Sequence, residues 1–166
     1  MTDLDTTTFN TPNGYVTTDF DAIPTINSIS IGKVIVLQPD GKIVMAGEFF
    51  YSVPGLQVVA VCRYNSNGTL DLGFGTAGKV TQILGAGFPN NISIDEVTVI
   101  TLQFDLSIVI CGYQTFPGLP GTTNIFVLRL TQAGGLDINF NSAASLPALP
   151  GYLYTTPAEF TSVFSP

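Results

Sequence analysis

Four aspartates, two arginines and two sets of loop aromatics are the residues whose types and spacing could do chemistry in this chain. Asp40, Asp71, Asp105 and Asp137 could act as paired carboxylates or as Ca²⁺ ligands. The stretch Asn65-Ser66-Asn67-Gly68-Thr69-Leu70-Asp71 even alternates oxygen donors around a glycine. It lacks the spacing and the terminal Glu of an EF-hand loop. Asn, Asp and Gly also favour turns for their own reasons, through Asx hydrogen bonds and access to positive φ, and the turn reading is preferred. No metal and no cofactor is expected. Arg63 and Arg129 each stand eight residues before a repeated aspartate (63 to 71, 129 to 137). They could receive an anion, or form a bidentate Arg–Asp pair inside the fold. The pair is preferred, because a feature repeated with the fold usually serves the fold. The segments Glu48–Gln57 and Tyr113–Thr123 read as equivalent loops carrying Phe49, Phe50 and Tyr51, and Tyr113 and Phe116, with several prolines. Such rings could stack on a glycan or a peptide, or pack on neighbouring parts of the fold. Packing is preferred, since no set of polar partners accompanies them and the chain has no Trp.

Much other chemistry is excluded. There is no His, so Ser-His-Asp and Cys-His catalysis and His-ligated metal sites are absent. No P-loop, dinucleotide fingerprint or nucleophile elbow occurs, and no enzyme activity is expected. Five basic residues against twelve acidic ones give a net charge of −7 in 166 residues. Nucleic-acid binding needs a basic patch and is not expected. Hydrophobic residues make up 45% of the chain, charged ones only 10%, and mean hydropathy is +0.40. This composition argues against disorder. No apolar run approaches the length of a transmembrane helix, so membrane insertion is not expected. The start of the chain is polar and acidic, without the pattern of a signal peptide. Cys62 and Cys111 sit in apolar strand-like runs and are expected as free thiols.

The elements that must position these residues recur. Leu-Asp followed by Phe appears as Leu4-Asp5…Phe9, Leu70-Asp71…Phe74 and Leu136-Asp137…Phe140, a period of 66 (4, 70, 136). A glycine turn and a β-prone run follow each time, at Gly14, Gly78 and Gly151. Between them, Val34–Gly47 aligns with Val99–Gly112, and Val59–Tyr64 with Ile125–Leu130. The runs are short and rich in Val, Ile, Phe and Tyr, as strands are, and no segment keeps a helical period. Pro39-Asp40-Gly41 and Asn67-Gly68 supply turn chemistry. Each repeat therefore predicts four short antiparallel strands. In the first these begin near Val16 and at about Val34–Leu37, Lys42–Gly47 and Val58–Tyr64. The chain divides into 1–13 (a partial repeat), 14–77, 78–143 and a Pro-rich partial repeat or tail, 144–166.

The pattern Leu-Gln-Pro-Asp-Gly-Lys-Ile-Val…Ala-Gly, then Val-Cys-Arg-Tyr-Asn-Ser-Asn-Gly-Thr-Leu-Asp…Phe-Gly…Gly-Lys-Val-Thr, over Val34–Thr81, closely resembles the delta-60 repeat. The second copy departs from it at Phe104-Asp105-Leu106, where the turn loses its glycine. That family occurs in bacterial surface and secreted proteins and in some giant-virus proteins, and its repeats are regarded as β-propeller blades. The resemblance implies an all-β fold of propeller-like blades and carries no catalytic motif. A propeller closes with roughly four to eight blades, and this chain holds two full repeats with an overhang at each side. The expectation is a homo-oligomer, a trimer or tetramer if the ring closes, built by strand exchange. It would serve as a structural component of a surface layer, filament or virion, at a cell surface or in a viral particle. Other structural proteins or glycans are further candidate partners. The alternative is a lectin-like or peptide-binding module using the loop aromatics.

Overall fold

The structure, a computed structural model, describes residues 4–21, 28–51, 56–84, 94–115, 123–140 and 152–155. These form two antiparallel sheets of four strands each. Sheet 1 contains β1 (Ile29–Leu37), β2 (Ile43–Tyr51), β3 (Leu56–Tyr64) and β4 (Lys79–Gln82), in that order. Sheet 2 contains β5 (Ile94–Leu102), β6 (Ile108–Thr115), β7 (Thr123–Leu130) and β8 (Tyr152–Thr155), again in sequence order. The described residues are all-β, as the β-branched composition predicts.

The two sheets repeat one another in detail. The first pair of strands in each carries a bulge at the same place, between Gly32 and Val34 and between Val97 and Val99. A bulge pushes one carbonyl toward the neighbouring strand, and only glycine leaves room for it. A Cβ on Gly47 would lie 1.9 Å from the Ile31 carbonyl oxygen, and one on Gly112 1.9 Å from that of Glu96. This accounts for the repeated Ala-Gly and Cys-Gly at these positions.

The β1–β2 turn closes through the Gly41 N–H to the Gln38 carbonyl, 2.9 Å, with Gly41 at φ +83°. The glycine-less turn of the second repeat keeps the same geometry. Leu106 N–H bonds the Gln103 carbonyl at 2.9 Å, and Leu106 itself adopts φ +63°. Asp40 and Asp105 accept from the backbone N–H two residues on, at 3.1 and 3.0 Å, as Asx turns do.

Two expectations are corrected. Residues 15–21 carry no strand; the stretch near Val16 lies beside sheet 1 instead of within it. The fourth strand of sheet 1 comes from Lys79–Gln82 after the Leu-Asp segment, because that segment turns the chain back along β3. Likewise Tyr152–Thr155, expected to begin a further repeat, pairs with β7 and completes sheet 2. The second correction concerns Glu48–Gln57. It is not a long loop, because β2 runs on to Tyr51 and β3 starts at Leu56 in continuous register.

One core lies between the sheets. Val44, Ala46, Val59 and Val61 of sheet 1 meet Ile108, Ile110, Phe126, Leu128 and Leu130 of sheet 2, all buried. A smaller cluster of Phe49, Val58 and Ala60 lies on the other face of sheet 1, under Phe20 and Tyr51.

Leu106 adopts a left-handed conformation that an L side chain holds at a cost of about 1–2 kcal/mol. Leu106→Gly should therefore stabilise the fold by about 1 kcal/mol and raise Tm by roughly 2–4 °C. A thermal melt by circular dichroism checks this.

Candidate functional site

The residues singled out by sequence gather at two rims of the interface between the sheets and on the outer faces of the body. At the first rim, Arg63 on β3 holds four partners. Its Nε donates to Asp71 Oδ2 at 2.8 Å, and its Nη1 donates to the Gln132 carbonyl at 2.6 Å and to Gln38 Oε1 at 3.4 Å. Its guanidinium carbon lies 4.5 Å from the centroid of Phe74. Lys42 adds an ion pair to Asp71 at 3.0 Å. Desolvation opposes ionisation of Asp71, but hydrogen bonds from Lys42, the Gly73 N–H and Arg63 outweigh it and hold the carboxyl below its ordinary value. Gln132 belongs to the second repeat, so Arg63 ties an intra-repeat pair to the neighbouring sheet.

Phe74 is the plug of this junction. It is fully buried, and a Cβ on Gly134 would come within 2.8 Å of its ring. The Gly75 N–H then donates to the Ala133 carbonyl at 2.8 Å. The same docking recurs one repeat earlier. Phe9 lies on Gly68, where a Cβ would approach within 2.9 Å of its ring, and the Asn10 N–H donates to the Asn67 carbonyl at 2.7 Å. Further along, Phe20 stacks on Phe49 with ring centroids 5.9 Å apart. Tyr64 donates to Thr18 Oγ1 at 2.7 Å, and Lys79 donates to the Asp19 carbonyl. Burial, with a hydrogen bond from Cys62, pushes the Tyr64 hydroxyl to about 12.

The second arginine keeps the pair and, among the described residues, makes no inter-repeat bond. Arg129 Nε donates to Asp137 Oδ2 at 2.8 Å, and its Nη1 donates to Gln103 Oε1 at 3.2 Å. Its guanidinium lies 4.8 Å from the ring of Phe140. The sequence-predicted partners Arg63 with Asp71 and Arg129 with Asp137 are thus brought together. Asp40 and Asp105 sit in turns, and among the described residues no group of three or more His, Cys, Asp or Glu could hold a metal ion.

At the opposite rim, buried Glu48 accepts the Val97 N–H freed by the bulge, at 2.9 Å. Lys33 bridges Glu48 and Glu96 at 3.5 and 3.6 Å. Tyr113 donates to Glu96, which lowers the Glu96 pKa and raises that of Tyr113. Gln114 Nε2 donates to buried Asp95 at 3.0 Å, and Gln57 Nε2 donates to the Asp95 carbonyl at 2.9 Å. Glu48 and Lys33 could not have been found from periodicity, since the second repeat has Tyr113 and Thr98 in their places. Phe74 was visible as a repeated residue, but its burial between sheets was not.

The aromatic set divides. Phe49, a candidate ligand contact for which packing is the preferred reading, is buried under Phe20 and Tyr51, because its position in β2 points to the face that residues 16–20 cover. Phe50 and Tyr51 are half-buried, and Tyr113 is half-buried and engaged with Glu96. Phe116 lies outside the described residues. Tyr51 and Phe20 border an open groove of about 860 Å³ that Lys79 and Thr81 also line. Cys62 is buried beside Tyr64 and Cys111 is half-buried on the outer face of sheet 2; both are thiols. Among the described residues no helix is long and apolar enough to cross a membrane.

Residues 38–74 match the family described as a domain of unknown function (DUF5122), beta-propeller. No curated protein matches the chain, and no solved structure does.

Removing Arg63 takes one partner from Asp71, leaving Lys42 and the Gly73 N–H, and frees the Gln132 carbonyl in a largely buried setting, whereas Arg129 is more exposed. Arg63→Ala should cost about 2 kcal/mol, and Arg129→Ala about 1 kcal/mol, by urea denaturation. Because the Asp71 carboxyl is more acidic folded than unfolded, its contribution is present above the ordinary carboxylate pKa and lost as pH falls through the depressed one. The stability gap between wild type and Asp71→Asn should thus be constant above about pH 5 and shrink below it. Denaturant titrations across that range check this.

Proposed function

We propose that this chain is a non-enzymatic assembly protein whose two sheets are β-propeller-like blades of the delta-60 type, and that it joins copies of itself. The observation that carries this reading is the state of the outer faces. Sheet 1 and sheet 2 each bury one face against the other, and each still displays apolar strand residues on its second face. An apolar face on an antiparallel sheet is normally covered. Strand edges and apolar faces left open are association sites. A surface layer, a filament or a virion is the setting that the family resemblance suggests. If the ring closes, two blades per chain give three copies for six blades or four for eight.

A second reading, a lectin-like or peptide-binding module, draws support from the groove beside Tyr51, Phe20 and Lys79. It predicts saturable glycan or peptide binding that Tyr51→Ala abolishes.

Light scattering coupled to size exclusion, over a wide concentration range, tests the assembly reading. A discrete trimer or tetramer, or an open-ended species growing with concentration, is expected. A folded monomer at every concentration would contradict it.

A further inference from the structure

The two outer faces are the two halves of a contact that the molecule already makes once. By repeat position, Val44, Ala46, Val59 and Val61 of sheet 1 correspond to Val109, Cys111, Ile125 and Val127 of sheet 2. The first set is buried against sheet 2; the second lies on the outer face, with Ile125 52% exposed and Val99, on the same face of β5, likewise 52%. Conversely, Ile100, Leu102, Ile108 and Ile110 pack into the core. Their sheet 1 counterparts include Ile35 and Leu37, which are 59% and 64% exposed on its outer face.

The segment before sheet 1 completes the correspondence. Residues 4–14 dock as residues 70–78 do, with two more residues between Leu and Gly. Gly14 lies against Leu4 as Gly78 lies against Leu70, and Phe9 sits on Gly68 as Phe74 sits on Gly134. Asp5 stands where Asp71 and Asp137 stand, yet no arginine meets it among the described residues. Its carboxylate is instead held by Thr8 and Thr7, whose hydrogen bonds lower its pKa to about 2. Among the described residues, Arg129 in turn meets no neighbouring turn carbonyl like the one Arg63 finds in Gln132.

We propose that the outer face of sheet 2 docks on the outer face of sheet 1 of a second copy, head to tail, repeating the internal sheet-to-sheet contact, and that Asp5 of that second copy replaces Asp137 on Arg129. This rests on the assembly reading and specifies its partner, a second copy of this chain, and its geometry. The contact is heterologous, using two different faces, and so it propagates into a ring or a filament. The exchange resolves the competition between residues 4–14 and 136–140, which are built for the same place. Residues 4–20 stay on their own sheet 1, whose outer face residues 16–20 line, and the neighbour's 136–140 segment and β8, which holds the repeat position of residues 15–18, give way.

Complementary variants test this. Ile35→Asp spoils the sheet 1 face and Val99→Asp the sheet 2 face, both at exposed positions; Ile35→Lys and Val99→Lys form a second pair should either aspartate variant melt early. By sedimentation velocity, each variant alone should be monomeric where wild type associates, and an equimolar mixture should give a one-to-one heterodimer through the two intact faces. Wild-type association with a mixture that stays monomeric overturns the head-to-tail contact and leaves the assembly reading standing. A variant that associates alone as wild type does also overturns it. Wild type that never associates overturns both. Asp5→Asn should weaken association about tenfold more than Thr8→Val, which loosens the same turn, does; an equal effect of the two variants removes Asp5 from the contact.

Discussion

A sheet that is apolar on both faces cannot be satisfied by one neighbour, and sheet 1 is such a sheet. Along β3, Val59 and Val61 point to one side and Val58, Ala60 and Cys62 to the other, and all are buried. One face finds sheet 2. The other is covered by residues 16–20, with Phe20 as the anchor, and only partly, since Ile35 and Leu37 remain open. The period-two pattern usual for antiparallel sheets, apolar inside and polar outside, is replaced by near-continuous apolar runs. The hydrophobic content and the scarcity of charge follow from that requirement. So does the repeat itself, because stacking like on like is the simplest way to cover both faces.

The rims then decide how the sheets stack. Apolar faces alone would slide, since burial is non-directional. Arg63 fixes the position by bonding within its own repeat to Asp71 and across to the Gln132 carbonyl. Phe74 and Gly134 fit as ring and gap. At the other end Glu48 reads the bulge of the neighbouring strand through the Val97 N–H. A bulge is thus both a twist in its own sheet and an address for the next one.

Much of the fold was legible because it is written twice. The 66-residue period, the Arg–Asp spacing and the turn residues each appear in both repeats, so chance resemblance was excluded by repetition. The strand frame was shifted, however. The run at Val16 follows a glycine and is β-prone like Lys79–Gln82 and Tyr152–Thr155, and nothing local says whether such a run closes the sheet before it or opens the one after it. Phe49 reads as part of the loop Glu48–Gln57, while it lies in β2 and its burial depends on Phe20, far away in sequence. Glu48 and Lys33 were silent because they occur in one repeat only. The loss of glycine at Leu106 was visible, and the backbone keeps the turn regardless.

One sheet-to-sheet contact, made within the chain, is used again between chains. An experimental structure of the assembled particle would test it most directly. The rotation that carries sheet 1 onto sheet 2 within a chain should carry sheet 2 onto sheet 1 of the neighbour, with Val99 and Ile35 across the seam and Asp5 at Arg129. A two-fold contact joining identical faces, or an assembly that leaves both faces in solvent, would contradict it.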